Sequence, residues 1–467
     1  MSSVAPIALS SLANCQSQIV IVGGGPGGSM AAIAAKQTLL ENGNHGDVVL
    51  IERKAYDDQF SPLSRTSEKV CAGGVPRQGL QIMDQHGVPW RAVPHSRIDR
   101  VSVANLGDFQ SLAADDINLA KNPHVEKLNF QNYGAVFERG TLDARLLQSA
   151  HEAGALVYAG SSVETILQDG NGFTVIFRRG GEKFSIQVPM LIGAYGANLI
   201  LSKRFSELLG NPPMDFDENA ATAFRAYVPY EACPISKGEI RGDIFTFRNG
   251  SSLHFGYRWF FGAADNVNIG AGTFLPGKAG RIDQSSMRRF FPEISDKYVI
   301  RGSPLPTWEP GRREILWTEA HAVGVIGDAA GLVDPITGEG IREAIESGSK
   351  LGTAMAKAII AGNTSPIRRL KFVDKFSSAH ASRIASHIFS HRVTEDPALL
   401  GRALDVMKRH PELGATFFPQ AGTESPVFKR VLNFRILAGM MDLLSDQKIR
   451  TAIAKNITDP LWRRWLR

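Results

Sequence analysis

Two rhythms of apolar and polar positions alternate along this chain, and the switching between them predicts an interrupted α/β protein. Short apolar runs rich in β-branched residues read as buried parallel strands at 19–22, 48–51, 155–158, 190–194 and 322–326. Helical patterns are predicted directly after Gly28, over 78–85, over 137–150 with Thr141 as N-cap, and over 340–360. A hairpin is expected from 162–168 and 173–178, with Asp169-Gly170-Asn171-Gly172 in the turn. Strand-like runs without intervening helices, at 221–229, 244–247, 253–261 and 267–274, suit one antiparallel sheet walling a cavity. Residues 97–136 alternate irregularly and predict further strands, whereas the chain beyond 360 reads as helical with breaks near 362–366 and 410–426. There is no internal repeat and no low-complexity segment.

The first apolar run leads into Gly23-Gly24-Gly25-Pro26-Gly27-Gly28, where Gly23, Gly25 and Gly28 stand at the spacing G-x-G-x-x-G. One glycine permits the tight turn, one lets the backbone approach a pyrophosphate, and one lets helix and strand pack closely. The helix that follows offers N–H groups and the positive end of its dipole to the phosphates. The second strand ends in Glu52, placed to accept ribose hydroxyls, with Arg53 beside it. A second loop of the same character, Gly327 to Ile341, follows the strand at 323–326. Asp328 suits a ribitol or ribose hydroxyl, and Gly338, Gly340 and Ile341 open a helix that suits a ring edge and pyrophosphate. Two nucleotide loops so far apart in sequence imply one long cofactor between them, which points to FAD. The expected fold class is therefore α/β, with a GxGxxG Rossmann-like FAD-binding domain, an inserted antiparallel-sheet substrate domain and a helical C-terminal extension. The expected division is 18–100, 137–210 and 311–362 for the FAD-binding parts, 101–136 for substrate-side strands, 211–310 for the substrate domain and 363–467 for a basic helical extension.

Composition changes this picture in two places. The 467 residues are 43% apolar and 21% charged, the balance of a globular protein too long for one core. No apolar run reaches the roughly 18 residues needed to span a bilayer. Residues 1–18 carry no charge and predict a tail rather than a secretory signal. Three cysteines, Cys15, Cys71 and Cys233, form neither a disulfide framework nor a metal cluster and suggest a reducing, cytoplasmic compartment. The net charge of +6 is uneven: residues 366–467 hold 18 Lys/Arg against 9 Asp/Glu, leaving 34 against 37 in the rest. With Trp462, Arg463, Arg464 and Trp465 at its end, this extension suits an anionic membrane surface, its own protein surface or a partner protein. No nucleic-acid-reading module is present, and nucleic acid is not an expected partner.

Together with the first glycine loop and the Gly327 segment, Val70-Cys71-Ala72-Gly73-Gly74-Val75-Pro76-Arg77 and Tyr257-Arg258-Trp259-Phe260-Phe261 resemble the geranylgeranyl reductase family of flavoproteins. That family lies within the larger group with the p-hydroxybenzoate hydroxylase fold, and the resemblance spans residues 18–360. It implies FAD, with Gly23, Gly25, Gly28 and Glu52 on the ADP half, Asp328 on the ribitol side and Gly338 to Ile341 beside the isoalloxazine. It places Cys71 of the C-x-G-G segment near the flavin, in catalysis, with Gly73 beside it. Two departures stand out. Gly262 replaces the proline of the family's aromatic segment, and Tyr195 stands where the group has an aspartate tied to NAD(P)H handling.

The residues leave some readings open. Cys71 is either a proton donor or thiolate at the flavin or a small buried residue in a glycine turn. Tyr257, Trp259 and Phe261 either line an apolar pocket or form sheet core. Phe245, Phe247, Phe255, Phe260 and Phe261 suggest a phenylalanine-rich wall. Glu339 and Arg342 are expected to pair across one helical turn. The functional expectation is an FAD-dependent oxidoreductase acting on an apolar or aromatic substrate, reducing isoprenoid double bonds as the resemblance implies. A monooxygenase hydroxylating an aromatic group, or a non-catalytic flavin-binding protein, are the alternatives.

Overall fold

The computed structural model describes residues 17–57, 60–61, 70–109, 125–170, 172–210, 220–249, 252–274, 287–288, 290–291, 298–306, 316–318, 322–333 and 338–363. The expected N-terminal tail and nearly all of the basic extension lie outside them. In chain order the elements begin with β1 (Ser17–Val22), α1 (Pro26–Glu41), β2 (Asp47–Glu52), β3 (Gly74–Pro76), α2 (Arg77–Gln85), β4 (His95–Phe109), β5 (Val125–Phe137) and α3 (Arg139–Glu152). They continue with β6 (Leu156–Ala159), β7 (Ser161–Asp169), β8 (Gly172–Arg179), β9 (Glu182–Val188), β10 (Met190–Gly193), α4 (Leu199–Leu209), β11 (Ala220–Val228), β12 (Glu239–Asn249) and β13 (Ser252–Gly262). The described part closes with β14 (Val267–Phe274), β15 (Arg301–Pro306), β16 (Leu316–Thr318), β17 (Val323–Val325) and α5 (Ile341–Ala361).

Six strands form a sheet in the order β16-β17-β10-β1-β2-β6, parallel throughout except for the β16–β17 pair. Ile19, Ile21, Val49, Leu191 and Val323 are fully buried, as expected of strands covered on both faces. The second sheet has eight strands, β15-β11-β14-β13-β12-β4-β5-β3. It was expected to be antiparallel, but its β12–β4 pair is parallel. The reason is connectivity: β4 and β5 come from residues 95–137, and β4 joins the β11–β14 meander along one edge of β12 instead of extending it by a hairpin. A small antiparallel sheet, β7-β8-β9, contains the expected hairpin and one further strand.

Helix α1 lies against α5 through residues without bulk. A Cβ at Gly348 would collide with the Gly27 carbonyl, and one at Gly352 with that of Ala31. The two backbones therefore touch directly, which ordinary side-chain ridges would not allow. This contact seats the start of α5 beside the first glycine loop. Helix α3 begins three residues earlier than its expected cap requires. Glu138 is the N-cap, and Thr141 Oγ1 donates to the Glu138 carbonyl at 2.8 Å instead of accepting from a helical amide. His86, just past α2, bonds both neighbouring helices. Its Nδ1 faces Gln37 Oε1 and its Nε2 faces Ser349 Oγ, each at 2.7 Å. Gln37 Oε1 can only accept, so the proton sits on Nδ1 and Nε2 accepts from the serine.

Two outcomes are expected. Gly348→Ala forces α5 off α1 and should destabilise the fold by about 1–3 kcal/mol in urea melts. Burial lowers the His86 pKa, with Glu41 acting weakly the other way, so the unfolded chain binds the proton more readily. The associated stability is present above the ordinary histidine value and is lost as pH falls below it. His86→Gln should flatten that acid-side loss in melting temperature.

Candidate functional site

Two connected cavities occupy the seam between the sheets. The larger, about 690 Å³, is lined by Gly23, Gly25, Glu52, Arg53, Tyr195 and Asp328, among others. The smaller, about 130 Å³, is lined by Cys71, Gly73, Tyr257, Trp259, Phe261, Gly338, Gly340 and Ile341. Pro26, Val70, Arg139, Asp328 and Ala344 belong to both walls and mark the junction. The two glycine loops thus face one continuous space.

The three glycines of the first loop are required for different reasons. Gly23 takes φ +109° and lies against the Ala194 carbonyl, leaving no room for a side chain. A Cβ at Gly28 would strike the Gly23 carbonyl, so Gly28 is a packing residue and lines neither cavity. Gly25 is different. Its φ is ordinary, at −68°, and beyond its immediate chain neighbours no atom of the described residues lies within 4 Å of where its Cβ would be. Nothing in the chain demands a glycine there; the space in front of it belongs to the larger cavity, as close approach by a phosphate requires. Helix α1 begins at Pro26, on both cavities, and α5 at Ile341, on the smaller one, each without a side-chain cap, so their N-terminal dipoles bear on the junction from two sides.

Glu52 is oriented from behind. Its Oε2 accepts from Gly24 N at 2.5 Å and its Oε1 from Lys54 N at 2.6 Å, which leaves lone pairs on both oxygens for a diol. Asp328 stands in a short 3-10 turn, Gly327–Ala330, whose first amide donates to Ser347 Oγ of α5 at 3.1 Å. Glu339 and Arg342 pair at 3.3 Å, as their spacing predicted. This donor set, with an open glycine and two uncapped helices, fits an extended dinucleotide such as FAD.

Sequence reading missed Arg139. It is 2% exposed, lies at the junction of the cavities, and is held by Asp143 through bonds of 2.8 and 3.1 Å. Burial opposes its charge, but the Asp143 carboxylate and then Cys71 outweigh that and hold its pKa above the ordinary arginine range. A basic side chain in the first turn of a helix, where the dipole disfavours it, was the available signal. Tyr56 lies in the same neighbourhood. Burial, then Asp143 and Glu52, push its phenol far above the ordinary value, so it stays neutral.

The aromatic segment divides by strand alternation. Tyr257, Trp259 and Phe261 share one face of β13 and line the smaller cavity, with the Tyr257 and Trp259 rings 5.4 Å apart. The expected phenylalanine wall is corrected accordingly: Phe260 points to the other face and packs on Phe291, while Phe245 packs on Phe290. The side chains of Phe247 and Phe255 lie outside the described residues. Gly262 has a local reason. Tyr230 Oη would lie 2.6 Å from a Cβ there, and it donates to the Ala263 carbonyl at 2.6 Å. Tyr195 lines the larger cavity and packs its ring on Phe205 at 5.0 Å.

Fold and site together define an FAD-dependent oxidoreductase. Residues 16–208 match the FAD binding domain family. The chain is 28% identical over 391 residues to the digeranylgeranylglycerophospholipid reductase of Methanothrix thermoacetophila, covering 81% of this chain and 88% of that protein. It is also 28% identical to the chloroplastic geranylgeranyl diphosphate reductase of Oryza sativa, covering 76% of this chain and 69% of that one. A geranylgeranyl bacteriochlorophyll reductase-like protein from Thermoplasma acidophilum shares the fold, with a TM-score of 0.57 and 19% identity over 79% of this chain and 87% of that one. The resemblance carried by the motifs is borne out. Among the described residues no helix is long and apolar enough to cross a membrane.

Proposed function

We propose that the protein reduces carbon–carbon double bonds of an isoprenoid substrate held in the smaller cavity. The observation that supports this reading most is the aromatic face of Tyr257, Trp259 and Phe261, which shares the smaller cavity with Cys71 next to the larger one. Such a wall recognises an unsaturated hydrocarbon by contact and excludes water without offering charge to it. The names of the reductases to which the chain is similar point the same way.

In this reading the larger cavity takes the ADP and ribityl parts of FAD, with Gly23 and Gly25 at the pyrophosphate, Glu52 and Arg53 at the ribose and Asp328 at the ribitol. Gly338, Gly340 and Ile341 border the ring, with Gly73 opposite. Bound and reduced, FAD supplies the hydride. The chain supplies the rest. Arg139, held in one orientation by Asp143, stands at the junction of the cavities, where its remaining N–H groups can orient a polar group. Cys71 Sγ accepts from Gly73 N at 3.4 Å, which aims the thiol at the smaller cavity as a proton source for the carbon left electron-rich by hydride addition. The basic extension is read as a surface for an anionic membrane or a partner protein, from which a lipid substrate would be drawn.

Reduced protein incubated without oxygen with geranylgeranyl diphosphate should yield a product heavier by two hydrogens per bond reduced. Oxygen label in a product formed under labelled oxygen gas would instead support hydroxylation. Cys71→Ser should keep FAD bound and lower turnover roughly a hundredfold. Unchanged turnover in that variant removes the cysteine from the chemistry.

A further inference from the structure

Between the cysteine loop and the aromatic wall stands a side chain that sequence reading passed over. Asn268 of β14 is fully buried, flanked by the apolar Val267 and Ile269. A buried amide among apolar neighbours is costly unless its donors and acceptors are met. Both ends of this one are met at the site. Trp259 Nε1 donates to Asn268 Oδ1 at 3.0 Å, and Asn268 Nδ2 donates to the Cys71 carbonyl at 2.8 Å. The indole can only donate and the carbonyl only accept, so the amide has one possible orientation.

The rest of the loop is held at other points. Gly73, at φ +82°, lies against the Phe137 carbonyl, and Phe137 N donates to the Gly73 carbonyl at 3.0 Å. That ties Gly73 to the end of β5, while Asn268 alone, among the described bonds, ties the Cys71 backbone to the opposite wall. Trp259 is held in turn by its seat over Gly270, where any side chain would collide with the indole.

We infer that Asn268 is a positioning residue: its amide fixes the Cys71 backbone to Trp259, so that the thiol and the aromatic wall keep one mutual distance. The inference rests on the reading of Cys71 as a site residue, and it gives Asn268 a role that bare core packing does not.

The test is iodoacetamide alkylation of the FAD-loaded protein, with Cys71 and Cys233 followed separately by peptide mass spectrometry. Loss of one hydrogen bond to the loop should speed Cys71 alkylation about fivefold in Asn268→Asp, which keeps the acceptor for Trp259 but loses the donor to Cys71. Cys233, on a different part of the large sheet's surroundings, should keep its wild-type rate. Trp259→Phe keeps an aromatic ring on the wall but loses the indole N–H together with ring volume over Gly270, and should give a smaller rise at Cys71 alone; it serves as the second variant if Asn268 variants fail to fold. Cys71 and Cys233 accelerating together, or Cys71 unchanged in the folded variants, overturns the inference. If Cys71→Ser retains turnover, the chemical role of the thiol falls, and the selective alkylation still decides whether Asn268 holds its loop.

Discussion

The direct backbone contact between α1 and α5 is the constraint on which the rest depends. Gly348 and Gly352 let α5 rest on the carbonyls of Gly27 and Ala31, with no side chain between them. That places Ile341, at the start of α5, and the Asp328 turn beside a loop more than 300 residues earlier in the chain. Neither loop alone makes a binding site. Joined, they give two adjoining cavities that share a wall, with a positive helix end at each, and one oriented carboxylate and one open glycine on the larger. Helix bulk at either glycine would part the two halves before it affected any group that touches a ligand.

A second joint ties the parallel sheet's site to the mixed sheet. The Cys71–Gly74 loop is clamped at Gly73 by β5, at Cys71 by Asn268 of β14 and at Gly74 by the Phe261 ring, 2.9 Å from where a Cβ would stand. On its other side Arg139, paired with Asp143, closes the junction between the cavities. The loop runs into β3 at Gly74 and takes its geometry from the mixed sheet on one side and from the first turn of α3 on the other. This is why its residues, unremarkable in isolation, meet the aromatic face of β13.

The parallel strands, the hairpin and the long helices were legible because their patterns are local: buried β-branched runs, a turn of Asp and Gly, and helical spacing. Nearly all of the singled-out residues line one cavity or the other for the same reason, since glycine spacing and strand ends carry their own geometry. What was illegible depends on partners distant in sequence. The parallel β12–β4 pairing follows from where β4 finds an edge, which no window of residues encodes. Phe245 and Phe260 read as cavity wall because composition does not tell one face of a strand from the other; only the register of β13 does. Arg139 and Asn268 are single polar residues in apolar settings, and their purpose lies in Asp143, Cys71 and Trp259.

The glycine at 262 carries a consequence for how this site is inherited. Tyr230 fills the volume that any side chain at 262 would need, and its hydroxyl secures the Ala263 carbonyl that follows. The two positions are thus one steric unit, small at one end and large at the other. A proline at 262, as in the pattern the motif otherwise follows, would push the Tyr230 hydroxyl aside and so cost its bond to the Ala263 carbonyl. An aromatic segment transplanted into this chain therefore meets Tyr230 first, and keeps the Ala263 carbonyl satisfied only where position 262 stays small.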